Sequence, residues 1–153
     1  MSRATVELPA ATRAFLTRPH TATLTTLRPD GTPHVTPVRF TFDAATGLLR
    51  VTTRAGARKA RNIVAGGPTA RVALCQAVDF RWVTLEGRAA VTDDPARLAE
   101  AVRRYTVRYR AAPPTPLDLV VVEIAVDRVL TSRPAGPSSA SRQPRWSAAR
   151  LRP

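Results

Sequence analysis

Short segments of strand-like composition, separated by turn-forming residues, run along most of this chain and restrict its fold more than any other feature. The clearest turn is Pro29-Asp30-Gly31-Thr32, in which Pro presets φ and Gly accepts a positive φ. It separates two such segments, His20–Arg28 and Val35–Phe42. In the second one, apolar and polar residues alternate as they do in a half-buried strand. These residues predict an antiparallel hairpin.

Further segments extend this pattern along the chain. Those with the composition of strands are Leu48–Thr53, Ala70–Ala77, Arg81–Val91 and Leu117–Val126. The last of them is so apolar that we expect burial on both of its faces. Helical patterns occupy residues 10–18, Arg58–Ala65 and a stretch that opens at Asp94-Pro95, a capping side chain followed by Pro at the first helical position. That third helix carries an apolar stripe that includes Tyr105 and Tyr109.

Turns rather than long crossovers join the predicted strands, so the sheet should be mostly antiparallel and barrel-like. We therefore predict a mainly β fold of the α+β class, flanked by short helices, over residues 1–130. Residues 131–153 contain five Arg, no acidic residue and abundant Pro and Ser, without apolar periodicity. We predict a disordered tail there, with a basic arm for nucleic acid or membrane as the alternative.

Charge and composition narrow the classes of partner. The chain has 24 Lys and Arg against 11 Asp and Glu, a net charge of +13, which favours anionic partners. It has no run of about 18 apolar residues that could span a membrane, and its first residues lack the pattern of a signal peptide. The single cysteine, Cys75, excludes an intramolecular disulfide and is expected in the core. We expect a cytoplasmic protein that holds no metal.

The strongest local signal is the basic segment Arg54–Ile63. A Gly-containing turn leads into a helix whose first residues include Arg58, Lys59 and Arg61. Cations at a helix start oppose the helix dipole by about 0.3–1 kcal/mol each, and an anionic ligand would remove that conflict. Lys59 is the only lysine in a chain that otherwise uses arginine, which favours a site suited to a compact ammonium. A solvated basic helix face is the alternative interpretation.

The order of these segments resembles a known family. The stretches that carry the likeness are Ala22–Leu27, Arg28–His34, Thr36–Phe40, Val51–Thr53, Arg58–Asn62, Trp82–Ala89 and Asp93–Pro95. They lie within residues 8–130 and are similar to the pyridoxamine-phosphate-oxidase-like proteins, whose fold is the FMN-binding-type split β-barrel. The likeness is greatest to the branch that depends on the deazaflavin coenzyme F420.

This resemblance implies a homodimer with two cofactor sites at the subunit interface. In the family the cofactor phosphate lies against the segment that corresponds to Lys59, Arg61 and Asn62, and its ring system would lie along residues 36–38. Arg39 replaces the aromatic residue that the family often has there and adds a cation. The candidate cofactor-binding residues are therefore Thr36, Pro37, Val38, Arg39, Thr52, Thr53, Arg58, Lys59, Arg61 and Asn62.

The function expected from this resemblance is a reductase that transfers a hydride from reduced coenzyme F420 to a conjugated small-molecule substrate. The cofactor would supply the reactive centre, so no catalytic side chain is assigned. An FMN-dependent oxidase or reductase and a non-catalytic cofactor carrier are the alternatives. Nucleic-acid binding is not favoured, because residues 1–130 lack paired aromatic residues on adjacent strands. We expect His34 at the surface, and Trp82 either on the substrate side or buried in the core.

Overall fold

The computed structural model describes residues 6–132. Within this part of the chain there are three α-helices, one 3-10 turn (Gly67–Thr69) and seven strands. They are α1 (Ala10–Thr17), β1 (Ala22–Leu27), β2 (Pro33–Val38), β3 (Thr41–Asp43), β4 (Leu48–Arg54), α2 (Arg58–Gly66), β5 (Arg71–Val78), β6 (Arg81–Thr92), α3 (Pro95–Tyr109) and β7 (Leu119–Thr131). All neighbouring strands pair antiparallel, in the order β2-β1-β5-β6-β7-β4-β3. The predicted mainly β fold with short flanking helices is confirmed.

The single strand predicted over Val35–Phe42 is wrong, because the chain leaves the sheet at Arg39 and Phe40. β2 pairs with β1 at one edge of the sheet, and β3 pairs with β4 at the other edge. The backbone N–H and C=O of Phe40 both bond the hydroxyl of Tyr109, each at 3.0 Å, so they are lost to strand pairing. Since only two residues connect the two edge strands, the sheet must curve back on itself, as a barrel does.

β7 lies between β4 and β6 in the sheet and pairs with both of them. Val120, Val121, Val122 and Ile124 are all buried, so the expected burial of this strand on both faces is confirmed. The strand is displaced from its predicted position. It begins at Leu119, leaving Leu117 fully exposed, and it continues to Thr131, which pairs with Val83. The rest of the predicted tail, residues 133–153, lies outside the described residues.

Gly87 of β6 lies against the backbone of β7. The register of β6 on β7 shifts between Glu86 and Gly87, which is a β-bulge. A Cβ atom at Gly87 would lie 2.1 Å from the backbone oxygen of Ala125. Only glycine therefore fits at this position, where the two longest strands, β6 and β7, lie side by side.

Arg108 of α3 ties α1 to the rest of the domain. Its guanidinium donates hydrogen bonds to the carbonyl oxygens of Leu16 and Arg18, at the end of α1, and lies 4.5 Å above the ring of Phe40. It also donates to the side-chain oxygen of the fully buried Gln76, whose amide donates to the carbonyl of Phe15. This buried polar network holds α1 over β5.

Two other expectations from the sequence are corrected. Cys75, expected in the core, is only half-buried on β5. Trp82 is 38% exposed at the start of β6, so the core position considered for it is wrong. No helix in residues 6–132 is long and apolar enough to cross a bilayer.

Candidate cofactor site

Residues from β2, β4 and α2 meet in one groove of about 220 Å³. β2 and β4 are far apart in the strand order, and the curvature of the sheet brings them together. The predicted residues that line this groove are Pro37, Val38, Arg39, Thr52 and Lys59. We call it the β2–α2 groove. The groove extends from Pro37 and Val38, two of the residues expected to contact the cofactor ring, to Lys59 at the start of α2.

Lys59 is an uncompensated cation in the β2–α2 groove. It is half-buried in the second position of α2, and it forms no ion pair within residues 6–132. The first turn of α2 has no acidic residue, and the preceding Ala57 offers no capping side chain. Burial lowers the pKa of Lys59, because removal from water disfavours the ammonium. The local conflict predicted from the sequence is therefore present, and an anion at this helix start would relieve it.

A positive field surrounds the beginning of β2. Burial lowers the pKa of His34, and Arg28, Lys59 and Arg58 lower it further by charge repulsion. The positive charges of these three residues therefore act together on the imidazole of His34. His34, expected at the surface, is half-buried on β2, and its Nδ1 atom has no hydrogen-bond partner in the described residues. The lowered pKa favours the neutral form of this imidazole.

Asn62 points away from the β2–α2 groove. Its side chain is 3% exposed, and its Nδ2 donates a 2.9 Å hydrogen bond to the hydroxyl of Thr26 on β1. It lines a separate cavity of about 410 Å³ between α2 and β1. Because this bond joins α2 to the sheet, Asn62 fixes the orientation of the helix that carries Lys59.

The remaining predicted residues surround the groove without lining it. Arg58 and Arg61 are exposed on α2, and Thr36 and Thr53 are half-buried on β2 and β4. The two arginines lie in the first turn of α2, on either side of Lys59 in the sequence. In this structure the two threonines do not contribute to the wall of the groove.

Tyr105 and Pro114 also line the groove, and neither was predicted. Tyr105 is buried on α3, where the sequence assigned it to an apolar stripe. Its hydroxyl accepts a 3.0 Å hydrogen bond from Nη1 of Arg39, whose guanidinium lies 5.0 Å from the centre of the Tyr109 ring. A tyrosine in an apolar stripe needs a partner for its hydroxyl, and that need was the available sequence signal.

A curved antiparallel sheet with an uncompensated cation at a helix start is the arrangement expected of split barrels that bind flavin-like cofactors. Comparison with known proteins agrees with this class. The sequence model of the pyridoxamine 5'-phosphate oxidase family matches residues 8–133. The chain belongs to the pyridoxamine 5'-phosphate oxidase family, and the resemblance found in its sequence is confirmed.

Three individual proteins are similar to this chain over most of its length. It is 44% identical over 132 residues to the F420H(2)-dependent biliverdin reductase of Mycobacterium tuberculosis (strain CDC 1551 / Oshkosh), covering 86% of this chain and 93% of that protein. A solved F420 reductase is 26% identical with a TM-score of 0.62, covering 80% of this chain and 98% of its own. General Stress Protein 26 from Bacillus anthracis, 23% identical with a TM-score of 0.58 over 78% and 88% of the two chains, shares the fold.

Proposed function

We propose that this chain is a reductase that uses reduced coenzyme F420 to reduce a conjugated small molecule. The observation that carries the proposal is Lys59, an uncompensated cation that lines the groove at an uncapped helix start. The relative that is 44% identical is an F420H(2)-dependent enzyme, which supports this cofactor over FMN.

The residues present fit a cofactor with a phosphate and a planar ring. When bound, coenzyme F420 supplies the hydride, and the protein supplies binding and orientation. The Lys59 ammonium and the unsatisfied N–H groups of α2 would hold the phosphate, with Arg58 and Arg61 at its exposed side. Thr52 would donate a hydroxyl from β4.

The wall of β2 suits the ring system. Pro37 has no N–H to donate, so a flat ring can lie against it without leaving a donor of that residue unsatisfied, and Val38 adds an apolar side chain to the same wall. Pro114 adds a further apolar side chain to the lining of the groove. Thr36 and Thr53 would come into contact only with a ligand larger than the groove itself, and Asn62 would act through the position of α2.

The size of the groove favours a homodimer. Sites for small molecules and cofactors usually enclose about 300–1,000 Å³, and this groove encloses about 220 Å³. We propose that a second copy of the chain completes each site, giving two sites per dimer, as the family resemblance implies. We place the enzyme in the cytoplasm, where the single Cys75 has no disulfide to form.

The direct test is anaerobic oxidation of reduced coenzyme F420 by the full chain, with biliverdin as the first acceptor assayed because of the 44% identical relative. We expect turnover with the parent and with Arg13→Gln, a control at an exposed arginine on α1. Lys59→Ala should require a much higher cofactor concentration. A protein that turns over only with reduced FMN would contradict the proposal and support the FMN-dependent alternative.

A further inference from the structure

Arg39 is held in one orientation by two tyrosines of α3. Its Nη1 donates to the Tyr105 hydroxyl at 3.0 Å, and its guanidinium carbon lies 5.0 Å from the centre of the Tyr109 ring. The two rings pack against each other with centroids 4.7 Å apart. Tyr109 is itself fixed, because its hydroxyl bonds both backbone groups of Phe40. An arginine held in this way loses little further side-chain freedom when it binds a ligand.

Arg39 nevertheless has no anionic partner. It forms no ion pair within residues 6–132, and its side chain is exposed at the rim of the β2–α2 groove. Arg104 of α3, by contrast, is paired with acidic residues. Its guanidinium lies 2.9 Å from the carboxylate of Asp43 and also bonds Glu100. A planar guanidinium that keeps most of its donors available beside a groove is suited to binding a carboxylate through two hydrogen bonds.

Arg39 reaches the β2–α2 groove from a different wall than Lys59, the cation assigned to the cofactor phosphate. Arg39 faces the α3 wall, where it donates to Tyr105, whereas Lys59 enters from the start of α2. The positive charges that lower the pKa of His34 are those of Arg28, Lys59 and Arg58, and Arg39 is not among them. Pro37 and Val38, which immediately precede Arg39, line the groove beside it.

We propose that Arg39, held by Tyr105 and Tyr109, anchors a carboxylate of the substrate, so that the preferred substrates are conjugated molecules bearing a carboxylate. This inference rests on the proposed function for the identity of the site. It changes the role expected for Arg39 from the sequence, where this residue was grouped with the cofactor-binding cations. Tyr105 is then a positioning residue, because it acts through the orientation of Arg39.

The experiment uses biliverdin, which carries two carboxylates, and its dimethyl ester, which carries none. Binding of each compound to the full chain is followed by absorbance titration, without cofactor and with coenzyme F420 bound. The parent should bind the acid at least about ten-fold more tightly than the ester. Arg39→Gln should lose that preference, with the affinity for the ester and for coenzyme F420 changed by less than about two-fold.

Variants separate orientation from charge. Arg39→Lys keeps the charge without the planar fork and should retain only part of the preference, and Tyr105→Phe should lose about three-fold in affinity for the acid alone. Arg13→Gln is the control and should match the parent. The thermal midpoint of each variant is measured, and Tyr105→Phe, which keeps the ring, tests the proposal even where Arg39→Gln unfolds.

Two results would overturn the inference. One is a parent that binds acid and ester equally well, or an Arg39→Gln variant that keeps the parent's preference for the acid. The other is a loss of coenzyme F420 affinity in Arg39→Gln with unchanged biliverdin binding, which would return Arg39 to the cofactor. Failure of the proposed function looks different: the parent would then distinguish acid from ester but neither bind nor oxidise the reduced coenzyme.

Discussion

Replacing Lys59 with alanine should separate cofactor binding from stability. A charge-assisted hydrogen bond contributes about 1.5–3 kcal/mol, and no carboxylate in the described residues competes for this ammonium. Lys59→Ala should therefore weaken coenzyme F420 binding by roughly 10- to 150-fold. Lys59→Arg, which keeps the charge on a bulkier group, should recover only part of this loss. Fluorescence titration of the apoprotein measures each value.

The same substitution should leave the apoprotein as stable as the parent. Removing a cation from the start of α2 relieves about 0.3–1 kcal/mol of dipole repulsion, and alanine is a slightly better helix former. Loss of contacts along the lysine side chain opposes this gain, so the net change in unfolding free energy should stay within about 1 kcal/mol. Urea denaturation of Lys59→Ala checks it, with Arg13→Ala as the control.

The pH dependence of stability provides an independent check on Lys59. Burial lowers its pKa in the folded state below the ordinary value of 10.5, so the unfolded chain binds this proton more tightly. The parent should therefore gain stability relative to Lys59→Ala as the pH rises toward 10.5. Unchanged cofactor affinity in Lys59→Ala would refute the phosphate role. A clearly less stable apoprotein would show instead that Lys59 makes a structural contact.

Three further substitutions test the fold around the site. Arg108→Ala should cost about 2–4 kcal/mol of unfolding free energy, measured in urea, since it removes the guanidinium that donates to the carbonyl of the buried Leu16 and to the side-chain oxygen of the buried Gln76. Gly87→Ala should cost at least about 2 kcal/mol by the same measurement, because its Cβ would collide with the carbonyl of Ala125. Hydrogen bonds from two arginines lower the pKa of Glu100 to about 2, so the stability it adds is complete above pH 4.5 and is lost as the pH falls toward 2. Glu100→Gln should flatten the acid side of the stability profile, and an unchanged profile would contradict this role.

Features set by neighbouring residues could be predicted from the sequence. The turn at Pro29-Asp30-Gly31-Thr32 joins β1 to β2 as expected, with Gly31 at a φ of +83°. The helix predicted from Arg58 begins at that residue. Lys59 could be recognised as a site residue because the conflict at its helix start is visible in the adjacent residues alone.

Features that depend on distant partners could not be predicted. The chain leaves the sheet at Phe40 because its backbone bonds Tyr109, 69 residues away in the sequence. The contact between Arg39 and Tyr105 spans 66 residues, so the residues near Tyr105 showed that its hydroxyl needs a partner but not which residue supplies it. Asn62 was predicted from a motif, and a motif does not reveal that the amide turns toward Thr26 on β1.

The central claim is that the β2–α2 groove binds an anionic deazaflavin cofactor at the start of α2. Titration of the apoprotein with coenzyme F420 and with FMN, at low and at high salt, tests it most directly. We predict tighter binding of coenzyme F420, with a preference that shrinks as salt screens the exposed cations around Lys59. Protein that purifies with one FMN per chain, and releases none of it to coenzyme F420, would contradict the claim.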